Sequence, residues 1–322
     1  MVNMNNSTKI GVSDSHSKII LTGEHAVVYG KPAIAIPFPL KVTSIIEKSQ
    51  GDIIFESDIY TGYLSNMPIK LKGISNLIKA VLNNLNKPIE NFKIKIISSI
   101  PIGRGLGSSA AISISIVRSL FSFFEKEVTE KKLFSLVQTS ENYAHGNSSG
   151  LDIFATMSNC PIWFEKEKGV SKIEIKNPLY IIVADTGCAS DTKIAVGNVR
   201  KRYNKNPEIT HNTLEKIGQI TKDIKNALLN GDVNLVGKLL TDNHNELINI
   251  GVSDERLNNL VNLALDFGAL GAKLTGGGLG GCIIALARNI SDAKLISNEL
   301  VKSGAKSAWY FMVNSDTVME VI

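Results

Sequence analysis

The chain has 322 residues, 43% of them hydrophobic, which is enough for a sizeable core and, at roughly 100–200 residues per domain, for about two domains. Its net charge of +5 comes from 35 basic and 30 acidic residues spread along the whole length, a balance that suits anionic small molecules and gives little support to nucleic acid. Cys160, Cys188 and Cys282 are far apart and outside any CxxC pair, and the five histidines are scattered, so a disulfide framework and a zinc cluster are excluded and a reduced, cytoplasmic setting is expected.

The first residues, MVNMNNSTKIGVSDSHSK, lack the apolar core of a signal peptide. No apolar run approaches the ~18 residues of a membrane span, so no membrane partner is expected. KIIL at 18–21 reads as a short strand leading into the turn TGEHAVVYGKP. Short β-rich runs follow at 34–36, 42–47 and 52–56. Ile74, Leu77, Ile78, Val81, Leu82 and Leu85 recur at three- and four-residue spacing and predict a helix. Residues 91–97 alternate as a strand, and 108–124, free of Gly and Pro, reads as a buried helix. A helix over 130–143 ends at His145-Gly146-Asn147, and Ser148-Ser149-Gly150-Leu151-Asp152 opens another. Runs at 161–165 and 171–175 form a hairpin.

From Leu179 the pattern changes to a strand at 180–184, helices near 192–202, 208–229, 232–249 and 254–267, and strands near 272–274, 282–287 and 307–313. The expected boundary therefore separates 1–178 from 179–322. The basic run Arg200-Lys201-Arg202-Tyr203-Asn204-Lys205 reads as a solvated helix end rather than a phosphate patch.

Between the strand at 91–97 and the helix at 108–124 stands PIGRGLGSSAA. Glycines lacking Cβ reach positive φ and let successive N–H groups converge on anionic oxygens, and the helix that follows adds its own free N–H groups. Phosphate is the natural guest, although a tight turn before a capped helix would use the same residues. The pattern is neither GxxxxGK[ST] nor a convincing dinucleotide fingerprint. A second cluster, TGGGLGG at 275–281, holds five glycines in seven residues, more than a hairpin needs, and implies a backbone that passes close to a ligand or to the facing part of the fold. Lys18, Glu24, His25, Glu141 and Asp152 stand beside these turns. Singly each reads as a surface or helix-end charge; together they supply a cation for phosphate, carboxylates for magnesium and a base for a hydroxyl.

PIGRGLGSSAA, TGEHAVVYG and LTGGGLGG together resemble the three signature motifs of the GHMP kinases, which phosphorylate small alcohols with ATP and magnesium. The resemblance spans Lys18 to about Gly281. It implies a two-domain α+β fold, with an N-terminal ATP-binding domain like ribosomal protein S5 domain 2 and a ferredoxin-like C-terminal domain. Within the family, KIILTGEHAVVYGKPAIAIP looks like the members that act on mevalonate, giving 5-phosphomevalonate for isoprenoid synthesis; phosphomevalonate, a sugar, or ATP binding without catalysis are the alternatives.

Carried over by position, the resemblance implies that Gly103, Arg104, Gly105, Leu106, Gly107, Ser108 and Ser109 wrap the ATP phosphates, with Ser98 near the nucleotide. Ser109 and Glu141 match the magnesium ligands, Asp152 the catalytic aspartate and Lys18 the lysine paired with it. Glu24, His25 and Thr192 match positions around the substrate, and Gly277 and Gly278 are assigned there too. ATP and mevalonate are thus the expected partners, with neither nucleic acid nor membrane, and a homodimer is left open. Two departures stand out: His16-Ser17 precedes the lysine where the family often has Pro-Gly, and Arg104 replaces a small residue, either touching phosphate or pointing outward.

Overall fold

The computed structural model of the chain describes residues 9–145 and 149–316. Gly146, Asn147 and Ser148, expected at a helix junction, lie outside the described residues. In chain order the elements are β1 (Ile10–Thr22), β2 (Ala33–Lys48), β3 (Ile54–Ser57), β4 (Tyr60–Tyr63), α1 (Lys72–Asn84), β5 (Phe92–Ser98), α2 (Ser108–Phe123), α3 (Glu130–His145), α4 (Leu151–Met157), β6 (Ile162–Glu165) and β7 (Gly169–Lys172). Then come β8 (Leu179–Asp185), α5 (Thr192–Lys205), α6 (Pro207–Asn230), α7 (Val233–Asn249), α8 (Glu255–Asp266), β9 (Gly271–Thr275), β10 (Cys282–Ala287), α9 (Ile290–Lys302) and β11 (Ser307–Val313).

Contacts divide the described residues into two compact units that interleave along the chain, 9–16, 41–100 and 108–145 in one, and 17–40, 101–107 and 149–316 in the other. This division follows contacts, whereas the expected boundary near 179 follows chain order.

In the first unit β5 lies between the second half of β2, antiparallel, and β3, parallel, and β3 continues into the hairpin with β4. Leu77, Ile78, Val81 and Leu82 of α1 are fully buried, as the three- and four-residue spacing requires of a core face. α2 is buried on nearly all sides, including Ser113, Ser115 and Ser119; Ser119 shares a hydrogen bond of 2.8 Å with Ser44 of β2, and its Oγ also donates to the Ile116 carbonyl. Hydroxyls are tolerated inside a helix when they are paired in this way.

The second unit holds a four-stranded antiparallel sheet in the order β11-β8-β10-β9. Numbered within the sheet this is 4-1-3-2, the order of a ferredoxin-like β-α-β-β-α-β unit. Its core gathers Ile182, Ala184, Leu257, Val261, Ile283, Ile296 and Leu300 from strands and helices. The register sets Asp185, Cys282 and Thr275 in one row across β8, β10 and β9, so the loops after β8 and after β9 leave the sheet at the same end. A smaller cluster joins Ile20, Val27, Ala33 and Ala35 to Leu151, Ala155, Ile162 and Phe164.

Among the elements that differ from expectation are β1, β2 and α9. β1 begins eight residues before KIIL, at Ile10, because serines and a histidine occupy positions where an apolar alternation would have signalled a strand; Ser17 is buried and its Oγ donates to the Phe38 carbonyl at 3.1 Å. β2 is one strand of 16 residues despite Pro37 and Pro39, which fall between its ladder with β6 at 33–35 and its ladder with β5 at 42–48, where neither ladder needs their missing N–H. α9 is an unexpected helix whose Ala293, Ile296 and Leu300 form a buried face, with the Asn289 side chain capping its start. The basic run ends α5 with Arg200, Lys201 and Lys205 exposed, and Arg202 donates to the Asn249 carbonyl.

Ile182 is 1% exposed at the centre of the antiparallel sheet. Ile182→Ala is expected to lower the unfolding free energy by about 2–5 kcal/mol, read as a lower urea midpoint at unchanged slope. Ile194→Ala, at a position 57% exposed, should change it by no more than about 0.5 kcal/mol.

Candidate active site

Lys18 is the first residue to place. It sits in the inner part of β1 with a side chain 2% exposed, and a buried ammonium is tolerated only when it is paired and hydrogen-bonded. Its Nζ lies 2.9 Å from Oδ1 of Asp152 and donates to the Gly105 carbonyl at 3.0 Å, and its backbone N–H donates to the Leu106 carbonyl. Asp152 is in the first turn of α4, where a carboxylate meets the positive end of the helix. Its side chain is 38% exposed, so the pair has one buried end and one end open to solvent.

The loop 101–107 wraps around this lysine. Gly103, Gly105 and Gly107 all have positive φ. At Gly107 a Cβ would stand 2.9 Å from Lys18 Cγ, so this position has neither the conformation nor the space for a side chain. Gly105 faces the second glycine cluster, where a Cβ on Gly276 would meet its Cα at 2.9 Å. The surplus of glycines at 275–281 therefore reflects backbone packed directly against backbone.

Arg104 neither points outward nor stands free for a ligand. Its side chain is 11% exposed, with Nε 2.9 Å from the Asp185 carboxylate and Nη2 donating to the Gly187 carbonyl at 3.0 Å. Ser190 N–H donates to the Gly103 carbonyl, so the loop is fastened at consecutive residues to the segment after β8.

Around the GEH turn, Glu24 and Lys273 of β9 form an ion pair whose side chains are wholly buried, and Lys273 also donates to the Leu274 carbonyl. Burial pushes the Glu24 carboxyl up and the Lys273 ammonium down from their ordinary values, each opposed by its partner's charge. His25 has φ 59° and its Nε2 is 2.9 Å from the Gly277 carbonyl. Burial lowers its pKa to about 4; at neutral pH the ring is uncharged, and Nε2–H donates to that carbonyl. Thr275 Oγ1 accepts from Ile20 N–H and donates to Ile20 C=O. Ser190 Oγ donates to the Gly278 carbonyl at 2.6 Å, and Thr192 opens α5 beside Gly277, where a Cβ would lie 3.0 Å from its Oγ1.

In the other unit Ser108 and Ser109 begin α2. Ser109 Oγ donates to Glu141 Oε1 at 2.6 Å, and Glu141 is 2% exposed. A hydroxyl and a carboxylate form a hard oxygen donor pair of the kind that holds magnesium together with phosphate oxygens and water, so the residues present fit that ion. Ser98 is engaged in its own turn, accepting from Ile100 N–H and donating to Ile100 C=O.

Lys18, Asp152, residues 103–107, Glu24, His25, Thr192, Gly277 and Gly278 thus lie in one compact unit, and Ser98, Ser108, Ser109 and Glu141 in the other. The sequence reading missed Lys273, Asp185 and Thr275. The signal for Lys273 was a lysine inside GAKLT, a strand with every residue buried; that for Asp185 was an acid closing the apolar run LYIIVAD.

The family model for the GHMP kinases N terminal domain matches residues 76–159, and that for the GHMP kinases C terminal domain matches 224–306. The chain is 33% identical to a mevalonate kinase of Pyrococcus furiosus over 86% of this chain and 89% of that protein. Among solved structures it is similar to the Methanococcus jannaschii mevalonate kinase, with a TM-score of 0.80, 30% identity and coverage of 96% and 99% of the two chains. It is also similar to L. major mevalonate kinase in complex with R-mevalonate, with a TM-score of 0.81, 26% identity and 97% of each chain covered. No helix among the described residues is long and apolar enough to cross a membrane.

His244, 3% exposed, resembles His25 in that burial lowers its pKa to about 4. Both folded values lie below the ordinary 6.5, so the unfolded chain takes up protons first as pH falls. The stability held by the neutral rings is complete above about pH 6.5 and is lost on descent toward about pH 4. Urea midpoints should therefore be lower at pH 5 than at pH 7, and His25→Asn should make that fall smaller.

Proposed function

The chain belongs to the GHMP kinases, and from that membership we propose that it transfers the γ-phosphoryl group of ATP to the primary hydroxyl of mevalonate, giving 5-phosphomevalonate. The observation that carries the proposal is the Lys18–Asp152 pair at 2.9 Å, gripped by the glycine loop, in a chain that resembles mevalonate kinases along most of its length.

In this reading Asp152 accepts the proton of the attacking hydroxyl. It pairs with Lys18 through Oδ1, and its other oxygen is assigned the proton. Lys18 stabilises the charge spread over the transferring phosphoryl oxygens. The backbone of Gly103, Gly105, Leu106 and Gly107, with Ser108 and Ser109 at the helix start, cradles the triphosphate, and Ser98 lies toward the nucleotide. Arg104 serves by fastening this loop to Asp185 rather than by touching phosphate. Ser109 and Glu141 hold magnesium, which when bound neutralises phosphate charge. Glu24, His25, Thr192, Gly277 and Gly278 face the substrate. In chain order, 1–178 is the N-terminal ATP-binding domain and 179–322 the C-terminal domain, a boundary supported by the family matches on either side of it.

ADP release with magnesium and a panel of mevalonate, phosphomevalonate and galactose is expected to show turnover with mevalonate; turnover with the sugar alone would sink the proposal. Asp152→Asn should lower kcat by ~10²–10⁴ while ATP still binds, as a general base requires. Near wild-type turnover in that variant would remove Asp152 from the base role.

A further inference from the structure

Lys273 has no part in the roles assigned above, yet its environment is hard to explain by packing alone. Its side chain and that of Glu24 are both 0% exposed. Apolar residues of similar volume usually stabilise such a site as well as a buried ion pair does. The pair must therefore be weighed by what it presents. Lys273 engages Glu24 through Oε1, while Glu24 Oε2 is buried with no hydrogen-bond partner among the described residues. An unsatisfied buried carboxylate oxygen is a costly exception in a folded protein, and a ligand donor is one way to satisfy it.

The position of Glu24 points the same way. It stands between Gly23, with φ 98°, and His25, with φ 59°, so the turn is held in a conformation that a relaxed chain would leave. Two interactions hold it there, Glu24 to Lys273 and His25 to Gly277, and both partners belong to the stretch 273–277. The charge of Lys18 also acts on Glu24, as the weakest of the influences on its carboxyl.

We propose that Lys273 is a positioning residue that holds Glu24 as an oriented carboxylate, whose Oε2 accepts a hydrogen bond from a hydroxyl of mevalonate. The inference rests on the reading of Glu24 as substrate-facing. The charged and titratable groups around the pair are Lys18, His25 and His244, the two histidines being neutral at pH 7. Burial drives Glu24 toward its protonated form and Lys273 is the largest opposing influence, so removing the ammonium shifts the acceptor further toward its uncharged form.

The test is steady-state kinetics with ATP, magnesium and mevalonate from pH 6 to 9. Lys273→Met is expected to raise the mevalonate KM by ~10-fold or more at pH 7, the scale of a hydrogen bond to a charged group. The penalty should shrink as pH rises, because burial raises the pH at which Glu24 ionises, and the ATP KM should stay within about twofold. Lys273→Arg should restore the wild-type pH profile.

A folded Lys273→Met with wild-type mevalonate KM and pH profile overturns the proposal, as does a pH-independent loss of kcat and both KM values that arginine does not repair. If Lys273→Met does not fold, Lys273→Met combined with Glu24→Gln, which leaves no uncompensated charge, carries the test: a raised, pH-independent mevalonate KM supports the proposal and a wild-type KM overturns it. Wild-type protein that does not turn over mevalonate overturns the functional reading and this inference with it, whereas normal wild-type turnover beside an unaltered Lys273→Met overturns the inference alone.

Discussion

The burial of one ammonium group governs the local structure of the candidate active site. Lys18 is withdrawn from water, and the energetic demand of that charge is met by the Asp152 carboxylate and the Gly105 carbonyl. For these to arrive together, the glycine loop must run alongside β1, and Gly107 must lack a side chain where Lys18 passes. α4 must present Asp152 in its first turn, and its Leu151 and Ala155 must pack on Ile20 and Ala33 to hold it there. Strand, loop and short helix are thus mutually determined by a single charge.

The two glycine-rich segments are fastened rather than loose. Gly105 and Gly276 approach backbone to backbone, Arg104 is locked to Asp185 and Gly187, and Ser190 bonds to both Gly103 and Gly278. Left-handed backbone at these positions serves close approach. Amide groups fixed in this way need no reorganisation to meet an anionic guest, the property that the proposed phosphoryl transfer calls for.

The antiparallel sheet supplies the base for this arrangement. Its register aligns Asp185, Cys282 and Thr275, so Asp185 meets Arg104 at the same sheet end where Thr275 bonds to Ile20. Lys273, two residues before Thr275 on β9, meets Glu24. A one-residue slip in β9 would turn these side chains to the opposite face, which makes the hydrophobic packing beneath the sheet a condition for the polar contacts above it.

Much of this was legible from local pattern. α1 follows apolar spacing and α2 freedom from Gly and Pro, and the strand, glycine loop and helix succession follows from composition at 92–123. The candidate pairs Lys18 with Asp152 and Ser109 with Glu141, inferred from the motif resemblance, are observed at hydrogen-bonding distance. Less legible were β1 and β2, because buried serines and prolines mask a strand whose neighbours satisfy or do not need their polar groups.

What the sequence by itself determined was the set of reactive groups and the places where the backbone must be free of Cβ, since residue chemistry and φ preference are properties of single positions. What only the tertiary structure decided was their pairing: that Arg104 is committed to Asp185, that Glu24 is held by Lys273 with one oxygen left over, and that His25 is a neutral donor to Gly277. Those outcomes depend on burial and on partners more than 80 or 200 residues away in the chain. No local pattern encodes them, because electrostatic pairing is chosen by which charges the fold removes from water together.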